Sequence, residues 1–216
     1  MAFDDLVAAA RSAVASRQRV TPLKELREKT RSAPAARDVA SVLRAPGRVV
    51  SVIAEVKRAT ATFADLSGVG DVAVLARFYE AGGAACVSVV TEPVRFHGRL
   101  TDLDAVREAV NVPVLANDVI VTPYQVHEAR AHGADMLVLD ARLEPLVLES
   151  LVERTHSLGM AAVVEAHSRR EALTAVAAGA RYVSVDARDP DTRAIDHSRF
   201  EQVAEVLPEA VTRMAT

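Results

Sequence analysis

One cysteine, Cys86, stands in the whole chain, so no disulfide can form within it. Its setting, AACVSVV, is apolar and predicts an inert core thiol. Long apolar runs are missing as well: no stretch approaches the roughly 20 residues that cross a bilayer as a helix. The opening MAFDDLVAAARSAVASRQ begins on acids and has no charged segment followed by an apolar one. A secretory signal is therefore not expected, and the chain reads as cytoplasmic. Neither sign of charge dominates. With 26 basic and 29 acidic residues, a net charge of −3 and scattered Arg and Lys, there is no basic field for nucleic acid or an acidic membrane. A Gly-rich phosphate loop, a dinucleotide fingerprint and the Ser–His–Asp and Cys–His signatures are all absent, so no tightly held organic cofactor is expected. His127 and His132 lie five apart on one helical stretch, the wrong relation for shared coordination, and no metal site is expected. No Gly/Ser linker or low-complexity tract divides the 216 residues, half of them hydrophobic, which predicts a single domain over 1–216.

What is present is a repeat. Four times a helical stretch runs into Gly, usually Ala, and then a β-rich segment: EAGGAACVSVV, AHGADMLVLDA, SLGMAAVVEAH and AAGARYVSVDA. Gly83, Gly133, Gly159 and Gly179 sit where a helix C-terminus needs a left-handed residue. The segments after them are Val- and Leu-rich without clean alternation, as expected of strands buried on both faces of a parallel sheet. Amphipathic stretches such as DVAVLARFYEA and SRREALTAVAAG lie between them. The reading is repeated βα with right-handed crossovers, giving a barrel or a doubly wound sheet. Strands are predicted at 49–57, 85–91, 112–119, 136–141, 161–167 and 182–187, with a seventh beginning at 211–216. About 45 mostly helical residues precede the first, with Pro22 after Thr21 marking a helix start. A closed barrel needs eight strands and about 250 residues, so an incomplete (β/α) TIM-type barrel of about six parallel strands with a helical extension over 1–45 is the expected fold.

Four of the predicted strands end on an acid, a spacer and a base: Glu55-Val56-Lys57, Asp140-Ala141-Arg142, Glu165-Ala166-His167 and Asp186-Ala187-Arg188. Residues two apart on a strand point the same way, so each acid shares a face with its base. Chemistry in such barrels sits at the C-terminal strand ends. There Lys57 beside Glu55 suits a general acid or anion clamp, and Glu165 suits a general base. The plain alternative is that some of these pairs are solvated loop charges, and for Asp140/Arg142 and Asp186/Arg188 it weighs as much as a binding role.

The run VVSVIAEVKRATATFADL resembles the first strand of the indole-3-glycerol-phosphate synthase family. FYEAGGAACVSVVTEPVRFHGRLTDLDAVREAVNVPVL is similar to its second unit and the entry to its third strand. IVTPYQVHEARAHGADMLVLDARL is similar to the third helix and fourth strand, and LGMAAVVEAHSRREALTAVAAGARYVSVDARDP to the fifth and sixth units. Even the leader DLVAAARSAVASRQRVTPLKEL resembles the family's N-terminal extension. The resemblance implies a cofactor-free enzyme that converts a phosphorylated aryl-amino ketose by ring closure, loss of carbon dioxide and dehydration. It implies that Glu55 and Lys57 are the catalytic pair of the first strand and Glu165 the base of the fifth. Phe96 is then the aromatic residue of the loop after strand two that packs on the substrate's aryl ring.

The chain departs from the family pattern at definite places. The strand-three lysine that acts as general acid is replaced by Asn117, which can donate a hydrogen bond but cannot supply a proton. Strand six carries Asp186 in place of an amide, ahead of Arg188-Asp189-Pro190. Thr60-Ala61-Thr62 replaces Ser-Pro-Ser, and Asp140 and Arg142 stand where the family is largely apolar. The seventh-strand Glu-Ser-Gly would fall at Thr216 and beyond, and the loops that usually hold phosphate after strands seven and eight are expected to be missing. The leading expectation is therefore a diverged lyase or cyclase acting on an aromatic-amine type of small molecule. Glu55, Lys57 and Glu165 would be catalytic; Phe96, Asn117, Asp140, Arg142, Asp186 and Arg188 would bind substrate. The alternative is the synthase itself, a carboxy-lyase of tryptophan biosynthesis. A second alternative is a non-catalytic binding or assembly module. The apolar first-strand edge, VVSVIAEV, is a template for pairing, so a homo-oligomer covering an open barrel edge is expected.

Overall fold

Helix and strand alternate along the chain as the glycine signals predict. The computed structural model describes residues 3–44, 47, 50–59, 70–189, 194–196 and 198–216. Three helices come first: α1 (Phe3–Val20), α2 (Leu23–Ser32) and α3 (Val39–Leu43). Then β1 (Ile53–Val56), α4 (Val72–Ala81), β2 (Cys86–Val90), α5 (Leu100–Ala109), β3 (Val114–Asn117), α6 (Pro123–Ala131) and β4 (Met136–Asp140) follow in turn. The series continues with α7 (Pro145–Ser157), β5 (Ala161–Ala166), α8 (Arg169–Ala177), β6 (Tyr182–Val185), α9 (Arg199–Ala204) and β7 (Thr212–Ala215). The strands pair in chain order, β1 through β7, and the registers of β1–β2, β2–β3, β3–β4, β5–β6 and β6–β7 are all parallel. This is the topology of an incomplete (β/α) barrel with a helical extension. The stub expected at 211–216 is a formed strand, which makes seven among the described residues.

Local chemistry explains where the elements start and stop. Asp71 accepts from the N–H of Ala73 at 2.8 Å to open α4, and Ser168 accepts from Glu171 N to open α8. Pro22 stands one residue outside the first turn, as the N-cap of α2. The four helix-ending glycines adopt φ between 78° and 91°, the left-handed region that reverses the chain into the next strand. At Gly133 a side chain would also meet Arg107 Cγ at 2.5 Å.

The strands are shorter than the apolar runs suggest. The expected first strand began at 49, yet the β1–β2 ladder runs only from Ile53↔Cys86 to Val56↔Val89. Val50 and Val52 are 76% and 57% exposed, so those valines gain nothing from being strand residues. At the other end, Lys57, Arg142, His167 and Arg188 fall just past their strands, because a ladder stops where its partner strand stops.

Packing divides the chain into two compact units: Thr21–Asp118 with His127–Leu137, and Met1–Val20 with Val119–Val126 and Val138–Thr216. In the first, Val56, Val87, Val89, Leu103, Val106, Val114, Met136 and Leu137 form the core. Its polar anchor is Asp135, which is 0% exposed. Asp135 accepts from Arg37 N at 2.7 Å, Arg107 Nη1 at 2.5 Å and Val114 N at 2.9 Å. The Arg37 guanidinium donates to Val110 O and Val112 O, both at 2.6 Å, and to Arg107 O at 3.2 Å. It thereby caps the end of α5 and ties the segment after α2 to β3. In the second unit Leu139, Leu148, Leu151, Val152, Ala162, Val164, Val183 and Val185 fill the core.

Because the buried Asp135 accepts from Arg37 N, Arg107 Nη1 and Val114 N, removing its charge leaves Arg107 uncompensated. Asp135→Asn is expected to cost about 3–5 kcal/mol in urea unfolding. A loss below about 1 kcal/mol, the range of exposed ion pairs, would show that the network contributes little.

Candidate active site

The residues that the sequence marks at strand ends form two groups. In the first, Glu55 is the third residue of β1 and accepts from Lys57 Nζ at 2.6 Å through Oε1. Its Oε2 accepts from Asn117 Nδ2 at 3.0 Å and from Ser88 Oγ at 3.4 Å. Asn117 is the last residue of β3 and Ser88 the middle of β2. Three neighbouring strands thus converge on one carboxylate, which holds the Lys57 ammonium in place. Lys57 and Glu55 both keep about a third of their side-chain surface open to solvent, 34% and 31%. The pair can therefore meet a ligand.

Phe96 lies in the loop after β2, and a buried carboxylate shapes that loop. Glu92 accepts from Val94 N at 2.9 Å, Arg95 N at 2.7 Å and Phe96 N at 3.2 Å. At Gly98 a Cβ would stand 2.2 Å from Val90 O, so only glycine lets the chain return so close to β2. Phe96 itself is half-buried, with the Arg95 guanidinium 5.3 Å from its ring centre.

In the second group every acid again touches the base two residues on. Arg142 grips Asp140 as a fork, with Nη2 to Oδ2 at 2.5 Å and Nε to Oδ1 at 2.9 Å. The Arg142 guanidinium also lies 4.2 Å from the centre of the Phe3 ring. Asp186 Oδ1 accepts from Arg188 N at 2.8 Å and from Arg188 Nε at 3.0 Å. His167 Nε2 lies 3.8 Å from Glu165 Oε1 and 4.0 Å from Asp186 Oδ2. On its other side His167 Nδ1 is 3.3 Å from Glu171 Oε2, which also accepts from the His167 backbone N–H at 2.7 Å.

These neighbours set the proton affinities. Burial raises the Glu165 carboxyl above the usual range; the charges of Asp186 and Asp140 add to this, while His167 and Arg142 oppose it. Burial alone would lower His167, but its hydrogen bond to Glu171 and the charge of Glu165 outweigh that and raise it. A carboxyl so raised trades protons closer to neutral pH, as a general base should. Cys86 is excluded from such work: burial, with the charge of Asp135, pushes its thiol up to about 12.

Glu171, Ser88 and Glu92 escaped the sequence reading, and His167, read as the base after Glu165, was given no role in the site. For His167 the acid–spacer–base pattern was a usable signal. His127 and His132 share one helix, whereas Glu165, His167 and Asp186 come together from the ends of two strands, with side-chain N and O atoms within 4.8 Å of one another. Thr60-Ala61-Thr62 and Pro190 lie outside the described residues.

Comparison with known proteins identifies the family. A sequence model of the family described as indole-3-glycerol phosphate synthase matches residues 3–216. The chain is 52% identical over 214 residues to an indole-3-glycerol phosphate synthase of Mycolicibacterium vanbaalenii, covering 99% of this chain and 78% of that one. To the protein of the same name from Mycolicibacterium smegmatis it is 51% identical over the same shares. Among solved structures, a thiamine phosphate pyrophosphorylase of Pyrococcus furiosus matches in fold at a TM-score of 0.58 and 17% identity, over 82% of this chain and 76% of that one.

Since Asp186 helps raise Glu165, Asp186→Asn is expected to lower the Glu165 pKa. The sign follows for stability. A carboxyl raised in the folded state stabilises at low pH, below the ordinary range near 4.5, and that contribution is lost as pH rises through the folded value. The variant should flatten this decline. Carbon-detected NMR titration of the Glu165 carboxyl reads the shift; an unchanged midpoint would contradict the electrostatic assignment.

Proposed function

This chain belongs to the indole-3-glycerol phosphate synthase family, and we propose that it carries out that family's carboxy-lyase reaction. In that reaction a phosphorylated aryl-amino ketose closes to an indole with loss of carbon dioxide and water. The observation that carries the reading is the identity of about half the residues over essentially the whole chain. Chemically, closure onto a carbonyl carbon needs a proton at the carbonyl oxygen. Dehydration then needs a proton on the departing hydroxyl and a base for the proton lost from the ring. Lys57, held by Glu55, is the proton donor in this account. Glu165, with its raised pKa, is the base. Phe96 offers an apolar face to the aryl ring, and the cations Arg142 and Arg188 offer charge to an anionic substrate. No helix is long and apolar enough to cross a membrane among the described residues, which suits a small-molecule enzyme.

A second reading has its own support. Asn117 hydrogen-bonds Glu55 but supplies no proton, and the Asp140–Arg142 fork and Asp186 add polar groups. These favour a diverged enzyme whose preferred substrate is a different aromatic amine. We also propose self-association along the β1 edge, where Val50 and Val52 stand exposed two residues apart. Light scattering on the chain should then report a dimer or larger; a strict monomer would oppose this.

Steady-state assay with the family's substrate is expected to show turnover about 10²-fold below a typical kcat near 10 s⁻¹, the scale of one missing acid group. Asn117→Lys should raise kcat by about that factor with KM little changed, and Glu165→Gln should remove turnover. Absence of indole formation in both the natural chain and Asn117→Lys would overturn the reading. Faster turnover of another aryl amine would favour the second.

A further inference from the structure

The helical extension reaches the second group of strand-end charges. Phe3 is the first residue of α1, and its ring centre lies 4.2 Å from the central carbon of the Arg142 guanidinium. Val14 alone of the 18 residues of α1 is buried, and Phe3 is half-buried. The ring is thus directed at a cation rather than into the core. A flat guanidinium over an aromatic face is an attractive pair, because the face carries the negative part of the ring's quadrupole.

Arg142 is held in two ways at once. Its Nε and Nη2 donate to Asp140 as a fork, and its backbone N–H donates to Asp140 Oδ1 at 2.8 Å. Fork bonds lie in the guanidinium plane, so a flat face stays available for the Phe3 ring. Ala141 N donates to Glu165 O at 2.9 Å, so Arg142 leaves the end of β4 beside the place of Glu165 on β5. The hydrogen bonds to Asp140, with the charges of Asp140, Glu171 and Glu165, keep Arg142 charged against its partial burial. The charged groups acting on Glu165 are His167, Asp186, Asp140 and Arg142, and Arg142 is among those that favour its ionised form. The position of that one guanidinium therefore matters to the carboxylate.

We propose that Phe3 is a positioning residue of the candidate active site: its ring holds Arg142 in the fork with Asp140 and so keeps one guanidinium beside Glu165. An aliphatic side chain of similar size would fill the same space, but it has no negative ring face to attract the cation. Without the ring, the long arginine side chain would spend more time in solvent. Its charge would act on Glu165 from farther away, and Asp140 would be less compensated. Both changes favour the protonated carboxyl. The helical extension thus acts on the proton affinity of the base through Arg142. The inference rests on the reading of Glu165 as the base, but its readout needs neither substrate nor turnover. Failure of the one is therefore told apart from failure of the other.

The test is NMR on the full chain, reading the Glu165 carboxyl titration and the Arg142 Nε proton. In the natural chain that proton should be displaced upfield by the Phe3 ring, and Phe3→Leu should abolish the displacement. Arg142→Gln should raise the Glu165 midpoint by about 1 pH unit, the low end of what an adjacent opposite charge supplies. Phe3→Leu should raise it by part of that amount, and Phe3→Trp should keep the natural midpoint, since indole is the strongest partner for a cation. In the Arg142→Gln background Phe3→Leu should add nothing, the non-additivity of residues that act through one contact. Circular dichroism confirms the fold of each variant, and the Arg142 proton is read without any substitution. Absence of the upfield displacement in the natural chain, a Glu165 midpoint unmoved by Phe3→Leu, or a Phe3→Leu shift that persists in the Arg142→Gln background would each overturn the proposal.

Discussion

In a β-strand, side chains two residues apart leave the same face, and in this chain that alternation decides where the chemistry can be. Each acid near a strand end meets the base that follows its spacer: Glu55 with Lys57, Asp140 with Arg142, Glu165 with His167, Asp186 with Arg188. Were any base moved by one position, it would point away from its acid and leave a half-buried carboxylate alone. The pairs are not equivalent. Asp140–Arg142 is a closed fork with matched charge, whereas Glu165–His167 is a looser contact in which burial and neighbouring acids raise the carboxyl. A closed fork favours fixed charge; a loose, raised pair favours proton exchange.

The framework beneath these pairs is apolar and ordinary, and its few buried polar groups are tied to backbone. Asp135 and Arg37 hold the extension onto α5 and β3, and Glu92 shapes the loop of Phe96 from within. Helix caps such as Ser168 do a second service here, because the residue that completes the first turn of α8, Glu171, also turns the His167 ring.

Much of this is legible in the amino-acid order. The Gly-Ala punctuation gave the βα alternation and the positive-φ helix ends, and the spacing by two gave the acid–base contacts. Strand lengths were not legible. Valines at 50 and 52 look like strand residues by composition, but the β1–β2 ladder begins only at Ile53↔Cys86 and both side chains stand exposed. Contacts that join residues far apart in sequence were equally hidden, such as Asn117 with Glu55 across 62 positions or Asp186 beside His167. The pattern of one strand carries no record of which neighbour's end it will meet.

Asn117 is one of the places where the chain departs from the pattern that its resemblance to the family implies. An amide there keeps the hydrogen bond to Glu55 and so preserves the shape of the β1 end, while the proton a lysine would bring is gone. On the proposed reading, the Lys57–Glu55 pair serves as the acid and Glu165 as the base. The most direct measurement is a single-turnover experiment with substrate labelled with carbon-13 in its carboxylate. The account predicts labelled carbon dioxide released together with the indole product at equal yield, and no indole product from Glu165→Gln, whose base serves the dehydration. Indole absent under enzyme excess, or indole formed equally well by Glu165→Gln, would contradict it.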